Sequence, residues 1–284
     1  MKLFNPGAEI FVPDGIQLEQ AMSRTTHMAI SAHQDDIEFM AYHGILECFG
    51  VSDKWFGGVV VTNGAGSPRD GLYANYTDDE MRAIRKVEQK KAAYVGEYSF
   101  QALLDFTSSA VKDPNSRDVV EEIKNLLLIS KPDVVYTHNL ADKHDTHVAT
   151  AIRTIQAIRE LPDDARPSKV LGCEVWRDLD WLNDDDKVAL DVAGHENLSM
   201  ALMGVFDSQI SGGKRYDLAT AGRRRAHATY FASHGTDTTT QLNFAMDLTP
   251  LIQNHSIDML DYAQGFIQRF ADEVSERVKK LKGA

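Results

Sequence analysis

Apolar and polar positions along the chain switch between two periods. "HMAISAH" (27–33) is a short continuous apolar run and "GGVVVTN" (57–63) a β-branched one, and both read as buried strands. "YSFQALLDF", "PDVVYTH" and "KVLGCEVW" read as further strands, the second preceded by Pro132. Between these runs the apolar positions recur at helical spacing. "DIEFMAYHGILECFG" predicts a helix ending near Gly50, "SRDVVEEIKNLLLIS" an amphipathic helix and "THVATAIRTIQAIRE" another. "TDDEMRAIRKVEQKKAAYVG" opens with Thr77 as N-cap, Glu80 three residues on and acids in the first turn, which is a capping-box start. "LSMALMGVFDSQI" and "LDYAQGFIQRFADEVSERVKKL" also read as helices, the latter closing on basic residues suited to a helix C-terminus. The stretch from Ser211 to Thr249 has no clear period and reads as loop-rich.

This βαβα alternation predicts an α/β fold: a Rossmann-like three-layer αβα sandwich with a mostly parallel sheet and a helical C-terminal elaboration. No repeat or low-complexity tract divides the 284 residues, which read as a single domain. In such folds ligands bind beyond the carboxyl ends of the strands, where strand order reverses.

Composition narrows the function classes. A net charge of −12 argues against general nucleic-acid binding, which needs a basic footprint. No run approaches the roughly 18 consecutive apolar residues of a membrane span. "MKLFNPGAEIFVPDGIQLEQ" lacks the apolar core and cleavage site of a signal peptide, and the two cysteines, Cys48 and Cys173, read as reduced core residues. A cytoplasmic location is expected. One basic cluster interrupts the acidity: Lys214, Arg215, Arg223, Arg224 and Arg225. It reads first as a solvated helix face, and second as a contact for an anionic substrate group or a neighbouring subunit. A homo-oligomer is compatible with the sequence.

Two polar clusters fall at carboxyl ends of predicted strands, His33-Gln34-Asp35-Asp36 and "HNLADKHDTH" (138–147). Polar residues crowding the mouth of an apolar strand are costly unless something compensates them, and a metal ion is the natural candidate. A strand-to-helix turn can aim residues three apart at one point, so His33 and Asp36 can share a metal, with His147 as third ligand. Two histidines and one carboxylate leave an open position, as in catalytic zinc sites. Asp35, between the ligands, is a candidate base for water acidified by the metal. His144 could stabilise an oxyanion or protonate a leaving amine, and in the first role it would act as a cation. Glu38 reads as a carboxylate supporting the site, as does His138, with Asp142 orienting a neighbouring histidine; His43 reads as a core or surface residue.

"AHQDDIE" resembles the A-H-P-D-D-x-E signature of the LmbE/PIG-L family of zinc-dependent N-acetylglucosaminyl deacetylases, and "KHDTH" resembles its second signature, H-P-D-H. "VVVTNGAG", "RKVEQKKAAYVG" and "LDVAGHENLSMALMGVFDSQ" are similar to further segments of that family. The similarity covers about residues 25–210, leaving 211–284 as a C-terminal extension. It implies a single Zn2+ on His33, Asp36 and His147, Asp35 as general base and His144 as electrostatic catalyst. The implied activity is hydrolysis of the N-acyl group of an N-acetylglucosamine-type sugar or glycoconjugate, a linear amide that is not a peptide bond.

Gln34 stands where the family usually has proline, and Asp145-Thr146 where it has Pro-Asp; both are spacer positions. The arginine of the family's P-D-R segment after the third strand is absent, since the chain reads "LLDFTSS" there. Arg69 in the glycine-rich loop "GAGSPRDG", or Arg85 on the next helix, could contact substrate instead; Arg85 could equally pair with Glu88. Ser208-Gln209 reads as structural. The rivals are weaker. "GAGSPRDG" has the wrong spacing for a nucleotide-binding loop. A two-metal phosphoesterase would need more converging ligands. An inactive carbohydrate- or metal-binding homologue would have no use for Asp35 and His144.

Overall fold

The structure is a computed structural model and describes residues 2–283. Eight strands form one sheet: β1 (Glu9–Phe11), β2 (His27–Ser31), β3 (Phe56–Thr62), β4 (Phe100–Phe106), β5 (Val134–His138), β6 (Lys169–Cys173), β7 (Val188–Asp191) and β8 (Leu242–Asp247). Their order across the sheet is β1-β4-β3-β2-β5-β6-β8-β7. β4, β3, β2, β5 and β6 run parallel, while β1 joins β4, and β8 joins both β6 and β7, antiparallel. The sheet is therefore mixed, which corrects the expectation of a mostly parallel one. The antiparallel edges come from β1, β7 and β8, none of which the hydrophobic pattern singled out.

The chain leaves β2 toward β3 and β4 on one side, then returns to place β5 and β6 on the other. Strand order thus reverses between β2 and β5, and a crevice opens beyond their carboxyl ends. Side chains alternate across the strands and divide the core in two. Met28 and Ile30 of β2 face the layer containing Ile123 and Leu127 of the helix Arg117–Ser130 and Ile155 and Ile158 of the helix Asp145–Arg159. Ala29, between them, faces Ile37, Ile45 and Ala92 on the opposite side. No helix among the described residues is long and apolar enough to cross a membrane.

The helix Asp78–Val95 begins as its sequence predicts: the Thr77 hydroxyl accepts from the Glu80 N–H at 3.2 Å, and the Glu80 carboxylate accepts from the Thr77 N–H at 2.8 Å. The helix after β2 departs from expectation, breaking at Ala41 into Asp36–Met40 and Tyr42–Cys48. In an unbroken helix the carbonyls of Glu38 and Phe39 would accept from residues four ahead. Here both accept from the Arg224 guanidinium at 3.0 Å, and the Asn243 amide also donates to Phe39 O at 3.3 Å.

Arg224 belongs to the helix Tyr216–Tyr230, which with β8 fills the stretch expected to be loop-rich. It is fully buried and also donates to Ser199 Oγ and Asn243 Oδ1, so the basic cluster is not simply a solvated face. Burial pushes its pKa down to about 10. The C-terminal extension is likewise not purely helical, because β8 lies inside the sheet between β6 and β7.

Gly44 lets the helix Tyr42–Cys48 lie close to β5. A Cβ there would meet the buried Tyr136 ring at 2.5 Å, with Phe56 at 3.0 Å. Gly44→Ala is expected to destabilise the fold by about 1–3 kcal/mol through overpacking, despite alanine's better helix propensity. Urea unfolding measures it, and an unchanged or higher midpoint would show that the Tyr136 ring can yield.

Candidate metal centre

β2 and β5 deliver the two polar clusters to the same rim. After β2 the chain turns sharply. The His33 N–H donates to Asp36 Oδ2 at 2.7 Å, and Asp35 adopts a positive φ of 90°, uncommon for a residue with a side chain. Gln34 fastens the turn by donating its amide to Thr62 O of β3 at 3.1 Å. This hydrogen bond restrains the position where a proline ring would otherwise stiffen the chain.

After β5, Asp142 accepts from the His144 N–H at 2.9 Å and from the Trp176 N–H at 3.1 Å. Its carboxylate lies 3.6 Å from His147 Nδ1, which turns His147 Nε2 toward the first cluster.

His33 Nδ1, Asp36 Oδ2 and His147 Nε2 form a nearly equilateral triangle, with sides of 3.3 Å (His33–Asp36), 3.4 Å (Asp36–His147) and 3.2 Å (His33–His147). A tetrahedral ion with ligand bonds of about 2.0–2.1 Å has ligand–ligand edges of about 3.3–3.4 Å. The three donor atoms are therefore spaced as such an ion requires, and among the described residues they are the one His/Asp/Glu/Cys group that could hold a metal.

The charge states of His33 and Asp36 suit that use, while burial of His147 is outweighed by Asp36 and Asp142, which raise its pKa, and it would give up its proton to an ion. Burial pulls His33 down to about 4, keeping its imidazole neutral. Burial opposes the charge of Asp36, but His147 and His138 outweigh it and hold the carboxyl well below its usual range. His138 backs the site. Its ring stacks on His147 at 3.9 Å, and its Nε2, 3.5 Å from Asp36, already accepts from the Ala32 N–H at 2.9 Å.

Asp35, adjacent in sequence, goes the other way. Burial raises its pKa well above the ordinary value, although Arg85 lies 3.4 Å away and works against the rise. Adjacent carboxylates pushed in opposite directions mark different tasks. Asp35 and Asp36 open with His33, Arg85 and His144 into a cavity of about 520 Å³. His144 stacks on His147 at 4.5 Å; burial, then the His147 charge, lowers its pKa, which works against the cationic role offered from the sequence.

The other sequence candidates lie as follows. Arg85 reaches the cavity and also donates to Gln34 O and Ser67 Oγ, while Glu88 accepts from the Ser208 N–H at 2.7 Å and from its hydroxyl at 2.6 Å. Arg69 donates to Ala65 O and pairs with Asp78, away from the cavity wall. His43 bonds the Tyr136 hydroxyl at 2.9 Å. The sequence reading missed Trp176, Tyr216 and Lys112, and offered Lys214 as part of a basic cluster that could contact an anionic substrate group; all four line the cavity. Of the missed residues only Trp176 left a signal, as the last residue of a predicted strand whose end faces the same rim.

Residues 28–158, which contain both clusters, match the family model described as PIG-L, GlcNAc-PI de-N-acetylase. The chain carries a PIG-L family domain. No curated protein matches the chain significantly. Among solved structures, N,N'-diacetylchitobiose deacetylase from Pyrococcus horikoshii is similar with a TM-score of 0.62 and 16% identity, over 81% of this chain and 86% of that one. A 4-carboxy-2-hydroxymuconate hydratase, GalB, from Pseudomonas putida is similar with a TM-score of 0.59 and 16% identity, over 79% and 95%. The A40926 pseudoaglycone deacetylase Dbv21 follows at 0.57 and 16%, over 79% and 97%. At these identities the likeness is one of fold.

Within the PIG-L domain, Glu38 sits two residues beyond Asp36, fully buried, accepting from the Tyr98 hydroxyl at 2.7 Å and the Gln89 amide at 2.8 Å. Burial raises its pKa to about 8. A carboxyl whose folded pKa exceeds its unfolded one costs no stability below the unfolded value, about 4.5, and an increasing amount as pH rises toward the folded value. Glu38→Gln removes this cost. Its melting temperature relative to wild type is expected to rise by a few degrees between pH 5 and pH 8.5. Parallel melting curves across that range would mean that Glu38 ionises without penalty.

Proposed function

We propose that this protein is a metal-dependent N-deacetylase that hydrolyses the acyl amide of an N-acetylglucosamine-type sugar or glycoconjugate. His33, Asp36 and His147 would hold one divalent ion, most naturally zinc, with Asp35 as general base and His144 as electrostatic catalyst. The observation that carries the reading is the pairing of the three-donor triangle with a second, oppositely shifted carboxylate in one cavity. The ion supplies Lewis acidity, polarising oxygen and lowering the pKa of water.

The protein's own groups do the rest. Asp35, whose buried carboxyl holds protons tightly, takes the proton from the attacking water and passes it to the departing nitrogen. Arg85 keeps that carboxylate oriented. The His144 ring donates an N–H to the carbonyl oxygen as negative charge builds there. Trp176 offers a flat face for a sugar ring, and Lys112, Lys214 and Arg85 supply positive charge around a polar or anionic aglycone, in the absence of the family's usual arginine. A smaller adjoining cavity of about 220 Å³, sharing Phe39, Trp176 and Tyr216 with the first, gives room for an apolar extension of the substrate.

The hydratase neighbour supports a second reading, water addition to an unsaturated carboxylic acid. The same base would serve, and the three cations would bind carboxylate groups. Acetate release from N-acetylglucosamine, its disaccharide and lipid- or thiol-linked glucosaminides, measured against hydration of unsaturated dicarboxylic acids with zinc, cobalt or manganese added, separates the two. Release of acetate from none of the amides by metal-loaded protein would overturn the deacetylase reading.

Two variants divide the roles. His147→Ala is expected to lower bound metal and activity together, whereas full metal occupancy would remove His147 from the ligand set. Asp35→Asn should retain metal while kcat falls by about 10² or more, because it keeps the size of the side chain and removes the base. A kcat within a few-fold of wild type would assign the base to another group.

A further inference from the structure

Gln89 lies fully buried on the inner face of the helix Asp78–Val95, four residues after Arg85. A carboxamide is costly to bury unless its oxygen and its nitrogen both find partners. The partners of Gln89 are beside the two aspartates. Its Oε1 accepts from the Asp35 N–H at 3.1 Å, and its Nε2 donates to Glu38 Oε1 at 2.8 Å. Arg85, one turn earlier on the same face, donates to Gln34 O. The peptide between Gln34 and Asp35 is thus gripped at both ends, its C=O by Arg85 and its N–H by Gln89. Side chains four apart on a helix are neighbours, so one face can hold both ends.

That peptide sets the conformation of Asp35. Its φ of 90° is strained for a residue with a Cβ, and strained backbone persists only where its surroundings hold it. Turning the peptide over would bring φ into the ordinary negative range, and would take the N–H from Gln89 and the C=O from Arg85. Gln89 cannot follow by reversing its amide. Glu38 Oε1 also accepts from the Tyr98 hydroxyl at 2.7 Å, and a reversed amide would set its own oxygen against that acceptor. Glu38, Gln89 and Tyr98 are all buried, which shields these bonds from competition by bulk solvent.

We propose that Gln89 is a positioning residue: it locks the Gln34–Asp35 peptide so that Asp35 keeps its positive φ and its carboxylate stays in the cavity beside Arg85. The inference rests on the reading of Asp35 as the base. Arg85 touches the carboxylate and the C=O, and Gln89 the N–H, so one helix face fixes both the side chain and the backbone of that residue.

Two measurements test it, and one is free of catalysis. At a positive φ glycine is more stable than alanine, whereas at an ordinary φ alanine is the more stable. Asp35→Gly is therefore expected to melt a few degrees above Asp35→Ala, and Gln89→Leu, added to both, is expected to close or reverse that gap. With Asp35 in place and metal loaded, Gln89→Leu should lower kcat at least about tenfold while KM and bound metal stay near wild type. A residue needed only for stability would lower the melt without that split. The exchange of Glu38→Gln with Gln89→Glu keeps an acceptor for the Asp35 N–H and a donor facing it across the pair, and should restore most of kcat. If Gln89→Leu does not fold, Gln89→Asn, one methylene shorter, takes its place. An equal Gly–Ala gap in both backgrounds overturns the inference, as does a kcat in Gln89→Leu within about threefold of wild type. Wild type that releases acetate from no amide removes the reaction proposed for the site, and the melting comparison then decides the clamp alone.

Discussion

The Asp36 carboxylate, buried with three imidazoles within 3.5 Å, is the constraint on which the rest of the rim depends. An anion in such a place is costly unless hydrogen bonds and charge meet it. The His33 N–H meets one oxygen directly, at 2.7 Å, and the turn from β2 exists to place it there. His138 is fixed behind by the Ala32 N–H, and His147 is turned by Asp142 from the far side. Asp142 in turn draws in the backbone of Trp176 beyond β6. One carboxylate thus organises the ends of three neighbouring parallel strands. The reversal of strand order between β2 and β5 is what leaves space beyond those ends for anything else to enter.

Much of this was legible in the sequence because it is local. His33 and Asp36 sit in one turn, three residues apart, and His147 opens the helix after the next polar strand end. Spacing and strand position suffice to bring them together. The cavity walls were not legible for the opposite reason. Lys112 and Tyr216 reach the site from a short helix and a longer one that only tertiary packing brings near, and Lys214, read as one of a basic cluster, comes from a loop. The downward shift of the His144 pKa was also invisible, since it follows from burial and from the His147 charge.

The parallel core was readable from βα alternation, and the antiparallel edges were not. β1 has three residues and β7 four, too few for a period to declare itself. The helix Tyr216–Tyr230 hid for a subtler reason. Its inward positions include Arg224 and His227, the second bonded to the buried Glu174 at 3.0 Å, so inside and outside carry the same kind of residue. Hydropathy has no contrast to report when the buried face is itself polar.

Arg224 also marks a division of labour along the chain. The segment shared with the family ends at residue 158, and every donor atom of the triangle lies within it. The guanidinium that closes the break in the helix behind Asp36 lies 66 residues past that boundary, with Asn243 further still. The shared segment is chemically self-contained but mechanically open. Transplanted beside a different last third, it would keep its ligands and leave the carbonyls of Glu38 and Phe39 facing no donor, so the hinge beneath Asp35 and Asp36 would be free to re-form as continuous helix and swing both carboxylates off their marks.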